Sequence, residues 1–152
     1  MARQRTTMTD AEVEELLAGP HKMQVATHNP DGTIHLVTMY YAMVEGRPAF
    51  WTYATSQKAV NLARDPSITA LVETGDDYGN LRGISFIGRV EVVGDFERVF
   101  AIGQQIYGRY VDFALEGPVL DYVEHQARKR QVFLIDADKT VSWDHRKLGL
   151  SG

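Results

Sequence analysis

Short strand-like segments separated by turn sequences constrain the fold of this chain more than any other feature. The first three segments are joined by Asn-Pro-Asp-Gly at residues 29–32 and by Glu-Gly-Arg-Pro at residues 45–48, and both connectors have the chemistry of hairpin turns. Predicted strands cover residues 23–28, 34–43, 49–55, 68–73, 84–93, 131–136 and 140–143. Six or seven mostly antiparallel strands, with helices in the crossovers, predict a mainly β fold of the α+β class, built as a small closed or split β-barrel with peripheral helices.

The composition of two predicted strands leads to further expectations. Along residues 34–41, apolar side chains occur in both alternating sets, so this strand is expected to be covered on both faces. Gly83 and Gly88 lie at the start and in the middle of the fifth strand, where they allow a bulge or sharp curvature.

Helix signals lie before, between and after these strands. Thr9 and Glu12 have the spacing of a capping box, and an apolar stripe follows before Gly-Pro at residues 19–20 ends the helix. Further helices are predicted over residues 56–64, from residue 95 to about 115, and from the Gly-Pro break at 117–118 to about 127. With 152 residues, 44% of them hydrophobic, and no internal repeat or linker, the chain is expected to form one domain over residues 1–152.

Residues 52–66 have the pattern of a phosphate-binding segment. A β-type stretch passes through Thr55 and Ser56 into a predicted helix that carries Lys58 in its first turn. The free backbone N–H groups and positive dipole end of a helix start favour an anion, and a nearby hydroxyl and ammonium add charge-assisted hydrogen bonds. The simpler interpretation is that Thr55 or Ser56 only caps the helix and that Lys58 lies on a solvated face.

Composition and charge argue against several partners. The net charge of −4 disfavours nucleic acid as the main partner. No apolar run approaches the ~20 residues of a membrane span, and no signal-peptide hydrophobic region follows Met1. The absence of cysteine excludes disulfides, thiol chemistry and zinc–thiolate sites. We therefore expect a cytoplasmic protein without a membrane or nucleic-acid partner.

The sequence also lacks the residue spacings typical of acyl transfer, nucleotide hydrolysis, Rossmann dinucleotide binding and zinc hydrolysis. His28 and His35 flank the first hairpin turn, but surface histidines beside a turn are more simply solvated, so no metal site is expected. Nothing pairs two carboxylates for general acid–base catalysis. If the protein is an enzyme, a cofactor must supply the difficult chemistry.

The order of these segments resembles the split β-barrel flavin and deazaflavin oxidoreductases related to pyridoxamine-phosphate oxidase. The resemblance runs nearly end to end and is carried by residues 34–41, by Trp-Thr-Tyr at 51–53 and by residues 56–66. Leu-Arg-Gly-Ile-Ser-Phe at 81–86 and the tail at 142–150 resemble the actinobacterial branch that uses the deazaflavin coenzyme F420. This resemblance implies an FMN-binding-like split barrel and a homodimer with two cofactor sites at the subunit interface.

The resemblance and the residue chemistry together give an expected cofactor site. A flat wall and backbone donors and acceptors for a tricyclic ring are expected from Val37, Thr38 and Met39 on one strand and from Trp51, Thr52 and Tyr53 on its neighbour, although each residue alone is more simply ordinary core. Ser56, Gln57 and Lys58 match the family's phosphate-contacting segment. The resemblance places Trp143 and Lys147, together with Arg82, in the pocket of the other subunit near a phosphate or polyglutamate tail; the simpler interpretation is a basic tail with one anchoring tryptophan.

The activity implied by the resemblance is hydride transfer from reduced F420 to an unsaturated small molecule such as a quinone, enone, nitro compound or tetrapyrrole. The protein would contribute positioning and solvent exclusion more than an acid or base. Tyr40, Tyr53 and His145 are candidate proton donors, and no catalytic residue is assigned. Two alternatives stay open: an oxidase or reductase that binds FMN in the same barrel, and a non-catalytic protein that stores or carries F420 or binds haem.

Overall fold

Seven antiparallel strands form one curled sheet in the order β2-β1-β5-β6-β7-β4-β3. The structure is a computed structural model and describes residues 5–149. The strands are β1 (Met23–His28), β2 (Ile34–Met39), β3 (Ala42–Val44), β4 (Arg47–Tyr53), β5 (Ser67–Thr74), β6 (Arg82–Val93) and β7 (Arg130–Asp144). The helices are α1 (Asp10–Ala18), α2 (Gln57–Arg64), α3 (Phe96–Gly108) and α4 (Gly117–Ala127), with 3₁₀ turns at Tyr78–Asn80 and His145–Leu148. The predicted split β-barrel with peripheral helices is confirmed.

The predicted strand over residues 34–43 is wrong, because the chain breaks at Tyr40 and Tyr41 into β2 and β3. Tyr41 is fully buried, and its hydroxyl donates to the Leu17 carbonyl at the end of α1, 2.8 Å away. Its own carbonyl accepts from the Arg109 guanidinium, and its N–H bonds the Tyr110 hydroxyl. Side chains therefore satisfy the backbone of Tyr41 in place of a strand partner, and β3 starts a new hairpin at the other edge of the sheet.

Arg109 and Tyr110 also bear on the end of α3, which lies at Gly108 and not near residue 115, where the apolar spacing predicted it. Arg109 donates to the carbonyl of Leu17, and the Tyr110 hydroxyl donates to the carbonyl of His21 at 2.6 Å. These bonds tie the residues after α3 to the end of α1, where Arg109 satisfies the Leu17 and Ala18 carbonyls that this helix leaves free.

The two strands predicted over residues 131–136 and 140–143 are one continuous strand, β7, with a bulge at Asp138 opposite the Ile87–Gly88 step of β6. The bulge confirms the expectation for Gly88, because a side chain there would collide with the Asp136 carbonyl. On both sides of the bulge, Asp136, Ala137 and Lys139 stay paired with β6 on an exposed part of the sheet, so no break separates the two predicted strands.

Two apolar cores lie on opposite faces of the β4–β7 pair. Val25, Phe50 and Phe133 belong to the barrel interior, whereas Trp51, Val132 and Leu134 pack under α3 and α4. Since β4 and the first half of β7 are covered on both faces, they are the strands that fit the pattern expected of residues 34–41.

One face of β2, β1, β5 and β6 points into the barrel interior. The other face of these strands, here called the outer face, is uncovered and carries Ile34, Leu36, Ala26, Leu71 and Ile87. Leu36 is 68% exposed, Ile34 53% and Ile87 42%. The expectation that β2 is covered on both faces is therefore wrong for a single chain.

Candidate functional site

The start of α2 keeps two backbone donors free. Ser56 is the N-cap, and its hydroxyl oxygen accepts from the Ala59 N–H and from the Thr52 hydroxyl, both at 3.3 Å. The capping role offered as the simpler interpretation is thus confirmed. The backbone N–H groups of Gln57 and Lys58 have no acceptor among residues 5–149. This turn can therefore still bind an anion.

Lys58 is a half-buried cation without an acidic partner among the described residues. Burial lowers the pKa of its ammonium below the usual lysine range, and the nearby positive charge of Arg130 lowers it further. A desolvated ammonium beside a guanidinium is unfavourable in the free protein, and an anion between them would remove that cost.

Arg130 is the residue of this site that the sequence analysis missed. Its guanidinium lies over the Tyr53 ring, 4.2 Å from the centroid, and 5.0 Å from that of Trp51. Its nitrogens donate to Gln126 Oε1 at 3.2 and 3.3 Å, so no carboxylate neutralises it. The signal in the sequence is the basic triplet 128–130, which directly precedes a predicted strand. The strand register places Arg130, the last residue of this triplet, opposite Tyr53.

The three predicted ring-wall residues of β4 have different environments. Tyr53 is 44% exposed beside Arg130, and its hydroxyl bonds Gln126 Oε1. Trp51 is buried under α3, where its indole fills the space above Gly103. Thr52 is buried on the barrel side and donates to Ser56. Only Tyr53 therefore offers an exposed ring, while Trp51 and Thr52 support the strand from each side.

Val37, Thr38 and Met39 lie on β2, at the opposite edge of the sheet from the β3–β4 hairpin. The expectation that this strand and β4 are neighbours is wrong in terms of hydrogen bonding, because the break at Tyr40 and Tyr41 carries the chain to the other edge. Val37 and Met39 share their face with Val25 and Met23 of the barrel interior. Thr38 is exposed on the outer face, where its hydroxyl accepts from Gln24 Nε2 at 3.4 Å.

Arg82, Trp143 and Lys147 lie near the far end of the β6–β7 pair. Lys147 is already paired within the chain: its Nζ lies 2.7 Å from Glu12 Oε1 and 3.0 Å from the Thr7 carbonyl. The Lys147 hydrogen bond is the main reason that the pKa of Glu12 falls from 4.5 to about 2. Arg82 makes no hydrogen bond or ion pair within residues 5–149. Of the two cations, Arg82 is therefore the one without a hydrogen bond or ion pair, although its charge acts on the neighbouring Asp144 carboxylate.

The described part of the tail packs against its own chain. Trp143 is the register partner of Gly83, and its indole occupies the space that a side chain at Gly83 would fill. The His145 N–H donates to the Leu81 carbonyl at 2.8 Å, and Arg146 pairs with the buried carboxylate of Asp144 at 2.8 Å. Arg146 thereby holds the pKa of Asp144 below its usual range.

One chain does not bring all the predicted cofactor residues together. Tyr53 and Lys58 lie near Arg130 at the start of β7, whereas Trp143 lies near its end. Thirteen residue steps of β7 separate Arg130 from Trp143. Lys58 and Trp143 therefore lie toward opposite ends of this strand in one chain.

A cavity of about 900 Å³ opens elsewhere, between α1, β3 and the β6–β7 pair. Its apolar lining includes Val13, Met43 and Phe86, and none of the predicted cofactor residues contributes to it. Within residues 5–149, no three histidine or carboxylate side chains are grouped as a metal site. None of the helices in that range is both long and apolar enough to cross a membrane.

Comparison with known proteins gives a family and several related structures. Residues 9–144 match the sequence profile of the family described as pyridoxamine 5′-phosphate oxidase. The crystal structure of the conserved hypothetical protein Rv2991 from Mycobacterium tuberculosis is 39% identical, with a TM-score of 0.92 over 100% of this chain and 94% of that one. No curated protein matches the chain.

Two more distant structures share the fold. An F420 reductase is 24% identical, with a TM-score of 0.67 over 84% of this chain and 94% of that one. The haem storage protein HutZ from Vibrio cholerae is 16% identical, with a TM-score of 0.67 over 88% of this chain and 94% of that one. At these identities the likeness concerns the fold, which hosts more than one function.

Proposed function

The chain belongs to the pyridoxamine 5′-phosphate oxidase family, and on that premise we propose that it is an F420-dependent reductase that transfers a hydride to an unsaturated small molecule. The observation that carries the proposal is the pair of cations at the start of α2: Lys58 is half-buried beside Arg130, and neither has a carboxylate partner among the described residues. Two free backbone N–H groups lie in the same turn. This arrangement suits the phosphate of a coenzyme.

The number of free cations favours F420 over FMN. FMN carries one phosphate, whereas F420 carries a phosphate and a glutamate tail with several carboxylates. Lys58 and Arg130 have no acidic partner within residues 5–149, and Arg82 makes no ion pair there, although its charge acts on the neighbouring Asp144 carboxylate. Three such cations exceed what one phosphate needs. An FMN-dependent enzyme is the alternative that a direct comparison of the two coenzymes tests.

The coenzyme ring is proposed to lie against the exposed side of β2 and beside Tyr53. Thr38 is exposed on the outer face, and Tyr53 offers an exposed aromatic ring next to the cation pair. A ring in this position would be oriented by the backbone of β2 and shielded from water by apolar side chains. Reduced F420 supplies the hydride when bound; the protein's part is to bind, orient and exclude water, and the proton donor is unassigned.

The same geometry supports the proposal of a homodimer. We propose that two copies pack through their outer faces, which carry the exposed side chains Ile34, Leu36 and Ile87. Arg82 and Trp143 of one copy would then complete the site that starts at Lys58 of the other. Lys147 already donates to Glu12 and to the Thr7 carbonyl, so one N–H of its ammonium remains for a contact with the coenzyme.

Titration of the protein with F420 and with FMN, followed by absorbance and fluorescence, tests the proposal. We expect F420 to bind at least tenfold more tightly. Tighter binding of FMN would overturn the choice of coenzyme, and the absence of binding by either would overturn the coenzyme site itself.

Turnover separates a reductase from a carrier. Reduced F420 is offered together with a panel of quinones, enones, nitro compounds and tetrapyrroles, and its reoxidation is followed by fluorescence. A reductase accelerates reoxidation with at least one class of acceptor. Background rates with every acceptor, alongside tight F420 binding, would favour the storage or carrier alternative.

A further inference from the structure

A buried amide lies directly beneath the proposed phosphate site. Asn61, one turn after Gln57 on α2, is fully buried. Its Nδ2 donates to Thr27 Oγ1 at 3.1 Å and to Asn29 Oδ1 at 2.9 Å, both at the end of the β1 hairpin. Its Oδ1 accepts from Gln57 Nε2 at 2.8 Å and from the Arg64 guanidinium at 3.4 Å. A fully buried asparagine with every hydrogen-bonding group satisfied is a strong constraint on its neighbours.

The partners fix the orientation of this amide. Arg64 can only donate, so the atom facing it must be the oxygen, Oδ1. The nitrogen then faces Thr27 and Asn29, and the oxygen also receives the amide nitrogen of Gln57. The side chain of the first helical residue of α2 is therefore held in one position by a residue that the proposed ligand does not touch.

The network continues from the helix into the β1–β2 hairpin. Asn29 Nδ2 donates to the Thr33 hydroxyl at 3.0 Å, and the Asn29 N–H donates to the Thr33 carbonyl at 2.9 Å. Thr33 immediately precedes β2, the strand that carries Thr38. Asn61 thus anchors the turn that holds Lys58 to the end of the β1–β2 hairpin.

We propose that Asn61 is a positioning residue for the phosphate of the coenzyme. By tying Gln57 to the hairpin, it holds the first turn of α2 so that Lys58 and the free N–H groups of Gln57 and Lys58 face one point. This inference rests on the proposed function. It adds that the affinity for the phosphate depends on a buried residue outside the site, whereas the affinity for the ring does not.

The test compares two ligands and two variants. The ligands are F420 and the same deazaflavin with its ribityl chain but no phosphate. In Asn61→Ala, binding of F420 is expected to weaken by roughly tenfold, as for the loss of one or two buried hydrogen bonds, while binding of the phosphate-free ring is unchanged. Leu62→Ala is the matched control, because Leu62 is the next residue of α2 and is buried in the barrel core. It is expected to weaken neither ligand selectively.

A measurement without coenzyme distinguishes failure of this inference from failure of the proposed function. In Asn61→Ala, the hydrogen-bonded backbone amides of residues 56 and 59–61 are expected to exchange with deuterium at least tenfold faster, while amides of the β6–β7 pair keep their protection. If Asn61→Ala does not fold, Asn29→Ala removes the two side-chain bonds that Asn29 makes with Asn61 and Thr33. It leaves the Asn61 bonds to Thr27 and Gln57 in place and is expected to give smaller changes of the same kind.

Four results are decisive. Equal weakening of both ligands in Asn61→Ala, or unchanged exchange at residues 56 and 59–61, would overturn the positioning role. If the native protein binds neither ligand, the proposed function fails, and the exchange result still decides whether Asn61 orders the turn. Selective loss of F420 affinity together with faster local exchange supports the inference.

Discussion

Replacement of Lys58 by methionine separates a ligand-binding cation from a structural one. Methionine keeps the length and apolar contacts of the lysine stem and removes only the ammonium. Within residues 5–149 that ammonium makes no hydrogen bond or ion pair. The free protein therefore loses no favourable contact, and any loss of coenzyme affinity reports on the contact between Lys58 and the ligand.

The expected size follows from the kind of contact removed. A charge-assisted hydrogen bond to a phosphate contributes about 1.5–3 kcal/mol, so Kd for F420 is expected to rise about 10- to 150-fold, since each 1.4 kcal/mol is a factor of ten. Stability is expected to stay within about 0.5 kcal/mol of the native protein or to rise slightly. The slight rise in stability is expected because the pKa of Lys58 is lowered in the folded protein. Folding disfavours the charged lysine at every pH below the folded pKa, and methionine removes that cost.

The assay combines fluorescence titration with F420 and urea unfolding of the free protein. Lys129→Met is the control, since Lys129 is exposed and precedes Arg130 in the chain. An unchanged Kd in Lys58→Met would return Lys58 to the solvated-face interpretation. A loss of stability above about 1 kcal/mol would mean that the ammonium has a structural partner and would refute the magnitude argued here.

Three further substitutions test other parts of the account. Leu36→Glu places a charge on the exposed outer face. It is expected to give a monomer by light scattering and weakened F420 binding by titration. An intact dimer would exclude the outer face as the dimer interface. Trp143→Ala is expected to weaken F420 at least fivefold, by a contact of about 1 kcal/mol or more, with the fold retained by circular dichroism; native affinity would remove Trp143 from the site. Glu12→Gln is expected to lower Tm at pH 7. Because the pKa of Glu12 is about 2 in the folded protein, the Tm difference from the native protein is expected to vanish as pH falls from 4.5 towards 2. A Tm difference that stays constant over this range would contradict the pairing of Glu12 with Lys147.

Local chemistry made much of the fold predictable from the sequence. The capping box at Thr9 and Glu12, the Ser56 cap and the bulge at Gly88 depend on neighbours in the chain or on backbone sterics, and the structure confirms each of them. The hairpin turns at residues 29–32 and 45–46 likewise follow from residue types that favour positive φ, as at Gly32 and Gly46.

The errors come from contacts between residues far apart in sequence. The break after β2 depends on Arg109 and Tyr110, which reach Tyr41 from 68 and 69 residues away. The burial of Trp51 depends on Gly103 of α3, and the role of Arg130 depends on its register opposite Tyr53. Periodicity reports whether a side chain is apolar, but it does not report which distant element covers it.

A crystal structure of the complex with F420 is the most direct test of the central claim. The account predicts that a phosphate oxygen lies within hydrogen-bonding distance, about 2.7–3.2 Å, of Lys58 Nζ and of a backbone N–H at Gln57 or Lys58, with a second copy of the chain contributing Trp143. A coenzyme bound in the cavity beneath α1, or at any position where its phosphate does not contact the start of α2, would contradict it.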